Sequence, residues 1–249
     1  MNNNVLAFTL TILAGLSTMI GTILIFIKKK DHTSLIGASL SFAAGVMICT
    51  SITDLIPESI ILLRNNFSNY VTIIICFLGL ILGIVVSMII NYYVPDTTNY
   101  QNKSLFRVGL ISMIAIIIHN IPEGIATFVA TSSNTRLGVS LAIAIAMHNI
   151  PEGISISVPL YYSTKSKKKA LIYTLVSALS EPLGALLAYI FLKNIINNIT
   201  LGILFSLIAG IMLEISFKTL LPNSKKYQNP KLIIYFILGI LFMLIKLLF

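Results

Sequence analysis

Charge is what this sequence has least of. Only 10% of its 249 residues are Asp, Glu, Lys or Arg, while 57% are hydrophobic and the mean hydropathy is +0.95. Soluble domains carry about 25% charged residues, so this composition excludes a water-exposed globular domain and predicts an integral membrane protein. Cysteine is nearly missing as well. Cys49 and Cys76 both lie inside apolar runs without CxxC spacing, which excludes a disulfide framework or thiolate metal cluster and leaves them as small buried residues. No GxxxxGK[ST] loop occurs, so nucleotide-driven chemistry is not expected. Of the three histidines, His32 stands alone in a basic loop and reads as solvated.

What is there is apolar length. Eight runs can be marked, at 5–27, 35–62, 70–93, 106–130, 137–161, 170–192, 200–221 and 231–248. About 20 apolar residues span a bilayer as a helix, whereas barrel strands are about half as long and alternate. The expected fold is therefore all-α, with eight transmembrane helices joined by short loops and residues 1–249 forming one membrane domain. The first run is too long for a signal-peptide core and has no basic leader, so it is expected to be retained.

The net charge of +9 is not a nucleic-acid signal, because its distribution follows the spans. Lys28, Lys29, Lys30, Lys103, Arg107, Lys165, Lys167, Lys168, Lys169, Lys225, Lys226 and Lys231 lie in or beside the loops after runs one, three, five and seven. The opposite side holds Arg64, Arg136 and Lys193. The positive-inside rule then places both termini outside the cytoplasm.

One hexapeptide is written twice. His119-Asn120-Ile121-Pro122-Glu123-Gly124 lies in run four and His148-Asn149-Ile150-Pro151-Glu152-Gly153 in run five. On a helix, His and Glu four apart and Asn and Glu three apart share one face. The proline removes the bond to the carbonyl four residues back, that of Ile118 or Met147, and predicts a kinked turn. Each closing glycine lets another helix approach closely.

Other segments also recur. Ala44-Gly45-Val46-Met47 followed by Leu55-Ile56-Pro57 returns as Ala209-Gly210-Ile211-Met212 followed by Leu220-Leu221-Pro222, with the same spacing from Gly to Pro. Leu16-Ser17-Thr18-Met19-Ile20-Gly21 is echoed by Leu179-Ser180-Glu181-Pro182-Leu183-Gly184. Runs one to three thus pair with six to eight, and four with five. Partners an odd number of spans apart run in opposite directions, which is an inverted repeat with its site expected at the midplane.

Six of the eight acidic residues, Asp54, Glu58, Glu123, Glu152, Glu181 and Glu214, fall inside the runs, while Asp31 and Asp96 lie in loops. A carboxylate at the bilayer centre costs about 2.5–3.5 kcal/mol on insertion scales and marks function by default. His119, His148, Glu181 and Met47 all fall near mid-span, and no basic residue shares that level; Lys218 is expected near the cytoplasmic surface. Protons or a bound cation must neutralise the carboxylates, and imidazole with carboxylate suits Zn²⁺ and other first-row divalent ions. Asp54 and Glu58, four apart near the outer end of run two, read as an outer vestibule or a solvated helix end, and Glu214 as a mark of the inner exit.

Paired HNxPEG motifs in adjacent spans, an SEP in the next and an AGxM in run two resemble the ZIP family of divalent-metal transporters, and within it the bacterial zinc-uptake branch. The resemblance covers nearly the whole chain. It implies one metal site from His119, Glu123, His148, Glu152 and Met47, and a second from Asn120, Asn149 and Glu181 sharing Glu123 and Glu152. It also implies a homodimer in the cell membrane. Many relatives carry a His-rich loop between spans three and four; Val94–Ser104 has no His, so that loop's metal handling is not expected here. The expected function is uptake of divalent metal, Zn²⁺ foremost with Fe²⁺, Mn²⁺, Co²⁺ and Cd²⁺ also accepted, without a catalytic cofactor. Ligand chemistry does not encode direction, so efflux is not excluded by physics alone. A rival reading is an intramembrane zinc metallohydrolase, but the HExxH signature needs a Glu where Asn120 and Asn149 stand. A metal sensor lacks a signalling domain.

Overall fold

Apolar runs this long must bond their backbone internally in lipid, and only helices do so segment by segment. The computed structural model describes residues 3–27, 32–94, 102–192, 197–227 and 230–245. Lys28, Lys29, Lys30, Asp31, Asp96 and Lys193, the His32 side chain and most of the loop after run three lie outside the described residues. Every regular element among the described residues is helical.

Seven helices are long and apolar enough to cross a membrane: Asn3–Phe26, Thr33–Arg64, Asn69–Tyr93, Lys103–Ser133, Thr135–Thr164, Lys167–Phe191 and Asn198–Lys225. These are spans one to seven. Span eight, Leu232–Leu244, is shorter within the described residues. The chain is a multi-pass membrane protein. The third span leaves Ile73, Ile74, Phe77, Leu78 and Leu82 exposed, a face suited to lipid tails.

Turn chemistry fixes the span starts. The Asn134 side chain accepts from the amides of Arg136 and Leu137, and Asn197 from those of Ile199 and Thr200, with the Thr200 hydroxyl accepting in return from the Asn197 amide. Lys165 ends the fifth span in the left-handed region at φ 55°.

The inverted repeat is visible as matching interruptions. Span one changes from α-helix to a 3₁₀ segment after Ser17, and span six breaks at Leu179 just before Ser180. Span two holds a π-helical segment at Ser51–Leu55 and span seven one at Ile215–Leu220, each just before its proline. The Ser51 and Ser216 hydroxyls donate to the carbonyls of Met47 and Met212 at 2.8 and 2.7 Å. The hexapeptide prolines sit inside continuous helices rather than at breaks. Lys103–Ser133 runs through Pro122, and Thr135–Thr164 runs through Pro151.

Small residues decide which spans touch. Gly124 abuts the carbonyl of Glu181 and Gly184 that of Ile121, so spans four and six cross backbone to backbone. The repeat-mates do the same, Gly153 against Thr18 and Gly21 against Ile150. Gly45 and Gly239 join spans two and eight through the carbonyls of Phe236 and Phe42; Gly83 and Gly210 join spans three and seven through those of Leu207 and Leu80. Spans one, four, five and six form one group and two, three, seven and eight another, meeting where span two touches five and span four touches seven.

Candidate metal centre

The fourth and fifth spans are joined by Asn134 alone, and Gly138 packs on Thr131 beside it. His119 lies fifteen residues before Asn134 and His148 fourteen after, so a tight antiparallel hairpin brings the two hexapeptides to one height. Helical spacing then turns His and Glu of each copy to the same side.

The structure brings these four side chains together, all buried. His148 Nε2 lies 3.1 and 3.2 Å from the two oxygens of Glu123. His119 Nε2 lies 3.3 Å from Glu123 Oε1 and 3.2 Å from Glu152 Oε1. Thus Glu123 reaches both imidazoles and Glu152 reaches His119, and the two rings stand 5.8 Å apart between centroids. Ligand-type atoms of His119, His148 and Glu152 all lie within 4.8 Å of one another. The approaches of His119 to the carboxylates lack hydrogen-bond geometry. Both its ring nitrogens and both Glu152 oxygens have no hydrogen-bond partner among the described residues. Buried polar atoms are nearly always paired, so this cluster stands out.

A second group adjoins the first. The Asn149 Nδ2 donates to Glu181 Oε2 at 2.8 Å and to the carbonyl of Ala14 at 2.9 Å. Its Oδ1, one Glu181 oxygen and both amide atoms of Asn120 have no partner among the described residues. Asn120, Asn149 and Glu181 are fully buried. In span one, Thr18 holds the place that Glu181 holds in span six, so only one half of the repeat supplies a carboxylate there.

Met47 joins the first group. It lines a crevice with Ala115, Ile116, His119, Glu152, Ile211, Met212 and Ile215, too tight to admit a water-sized sphere. The crevice lies where the two helix groups meet. Sequence reasoning named Met47 and missed Met212, although the repeated AGxM was the signal for it.

The remaining acids lie elsewhere. Asp54, in the π segment of span two, accepts from the Thr53 hydroxyl at 2.8 Å, and Glu58 is solvent-exposed. Glu214 is buried but accepts from Ser87 of span three at 2.5 Å and does not line the crevice. No lysine or arginine is buried among the described residues, and Lys218 is exposed.

The profile of the family described as "ZIP Zinc transporter" matches residues 95–246. Zinc transporter ZupT of Clostridium perfringens is 41% identical, over 100% of this chain and 97% of the relative. The protein of the same name from Streptococcus mutans is 41% identical over 97% and 96% of the two chains, and that from Campylobacter jejuni 38% over 90% and 89%.

Proposed function

The chain belongs to the ZIP zinc transporter family, and we propose that it carries divalent metal, Zn²⁺ foremost, through its buried His/Glu cluster into the cytoplasm. The observation that carries this reading is the convergence of His119, His148 and Glu152 within 4.8 Å, with unpaired atoms on His119 and Glu152 and no buried lysine or arginine among the described residues. Metal–ligand bonds of about 2.0–2.1 Å in a tetrahedral site put neighbouring ligand atoms about 3.3–3.4 Å apart. The imidazole–carboxylate separations of 3.1–3.3 Å are close to that.

In this reading His119, Glu123, His148, Glu152 and Met47 hold one ion. Asn120, Asn149 and Glu181, sharing Glu123 and Glu152, hold a second. The Asn149 amide hydrogens are engaged by Ala14 and Glu181, which leaves its carbonyl oxygen for a cation. Fe²⁺, Mn²⁺, Co²⁺ and Cd²⁺ fit the same donor types. Ligands must be deprotonated to bind, so metal loading releases protons. The membrane potential supplies the drive, at about 2.3 kcal/mol per charge per 100 mV and about 4.6 for a divalent ion. Movement of one helix group against the other opens the crevice to either side.

The transporting unit proposed is the whole chain, 1–249, as a homodimer in the cell membrane with both termini outside the cytoplasm. Family resemblance and the alternation of basic loops support this. The relatives are transporters, and Asn120 and Asn149 stand where a zinc hydrolase needs its general base, so the chain is not an enzyme.

Zinc flux into proteoliposomes under an inside-negative potential tests the proposal, with Glu123→Ala beside the wild type. Saturable flux that disappears in the variant is expected. Normal flux by Glu123→Ala overturns the site, and an active preparation that binds zinc without flux overturns transport.

A further inference from the structure

We propose that Met212 is a second thioether ligand, repeat-mate to Met47, and that the pair biases the site towards soft divalent ions such as Cd²⁺ over hard ones such as Mn²⁺. The inference rests on the transport reading and deepens it to the ion class favoured.

Four observations carry it. Met47 and Met212 occupy equivalent positions of the inverted repeat, as do Gly45 with Gly210 and Pro57 with Pro222. Both methionines are almost wholly buried, at 1% exposure each, and both line the crevice that holds His119 and Glu152. Their backbones are pinned alike, since each carbonyl accepts from a serine hydroxyl one turn on, at the start of a π segment. Such segments are frequent at functional sites. Finally, the Glu152 oxygens on the same crevice have no hydrogen-bond partner among the described residues, so the methionines face groups able to bind an ion rather than a dry apolar core.

The chemistry then follows from softness. A thioether is neutral and polarisable; it contributes to the binding of soft ions and little to that of ions preferring oxygen. Packing alone would be met by leucine or isoleucine, which stand at many other lipid-facing and core positions of this chain. Two sulfurs from two opposed half-repeats approach the ion from the group holding spans two and seven. The imidazoles and carboxylates approach from the group holding spans four and five.

The test uses the purified full chain, with Cd²⁺ and Mn²⁺ affinities measured by competition against a fluorescent chelator. The proteins are wild type, Met47→Leu, Met212→Leu, the double variant and Glu152→Ala. Leucine nearly conserves the volume of methionine, and Met212→Ile is the replacement should it fail to fold. Met212→Leu is expected to weaken Cd²⁺ binding roughly fivefold to tenfold while changing Mn²⁺ less than about twofold, as for loss of one soft ligand. X-ray absorption of Cd²⁺ at substoichiometric loading should show two sulfur neighbours in the wild type and one in either single variant. An unchanged Cd²⁺ to Mn²⁺ ratio, or a single sulfur in the wild type, overturns the role of Met212. Undiminished Cd²⁺ binding by Glu152→Ala is a different failure, because it removes the His/Glu site on which the inference rests.

Discussion

Gly124 and Glu181 touch so closely that a β-carbon on the glycine would collide with the glutamate's carbonyl oxygen. The residue before Gly124 is Glu123, which reaches both imidazoles, so one helix crossing sets how the two groups of ligands meet. A methyl group inserted there must push span six away.

Gly124→Ala is therefore expected to destabilise the protein by about 1–3 kcal/mol, the usual cost of overpacking. Gly37→Ala is the control. Its nearest neighbours, Leu232 Cδ2, Tyr227 Cβ and the Ser224 carbonyl oxygen, would stand 3.1–3.3 Å from the new carbon, so they need give by only a few tenths of an ångström. Thermal unfolding in detergent, followed by size-exclusion chromatography, should show a clear drop for position 124 and a small one for position 37. Equal behaviour of the two would mean that the crossing is looser than described.

Metal stoichiometry separates the two groups of ligands. If Glu123 bridges them, Glu123→Ala should lose both ions, whereas Glu181→Ala should keep the ion held by His119, His148 and Glu152. Equilibrium dialysis with Cd²⁺ and elemental analysis would read about two, none and one per chain for wild type, Glu123→Ala and Glu181→Ala. One ion per wild-type chain removes the binuclear proposal.

Asn149→Asp should weaken the metal-free protein and make it more dependent on metal. The new carboxylate would face the Ala14 carbonyl and the Glu181 carboxylate, two acceptors now without a donor. Leaving buried polar groups unpaired costs about 1–3 kcal/mol. A bound cation offsets that loss, so the rise in unfolding temperature on adding Zn²⁺ should be larger in the variant than in the wild type.

Glu214→Gln should transport zinc within about twofold of the wild type. The glutamine keeps a carbonyl oxygen for the Ser87 hydroxyl, and the residue does not line the crevice. Glu214→Leu removes the acceptor and should lower stability while leaving the metal preference unchanged. A large loss of flux in Glu214→Gln would instead put this carboxylate on the ion's route.

Much of this was legible in the residues. Two identical hexapeptides at helical spacing put His119, Glu123, His148 and Glu152 on facing sides, and the structure brings those four together. Run lengths located the spans, because the backbone must bond internally in lipid. Local sequence marked most of the breaks. Those of spans two, six and seven fall within a turn before Pro57, Pro182 and Pro222, where a proline frees the carbonyl four residues back, while Pro122 and Pro151 sit inside continuous helices and the change at Ser17 has no proline beside it. Asn149 binding the Ala14 carbonyl joins residues far apart in sequence, and no periodicity announces it. The eighth span is shorter in its described part than its apolar run, and the Ser87–Glu214 bond could be found only once spans three and seven were seen to pack.

The tight crevice between Met47, Met212 and His119 has one more consequence. A gap that excludes water also interrupts any chain of waters along which protons could hop. In this arrangement the crevice itself offers protons no water-filled path between the two helix groups.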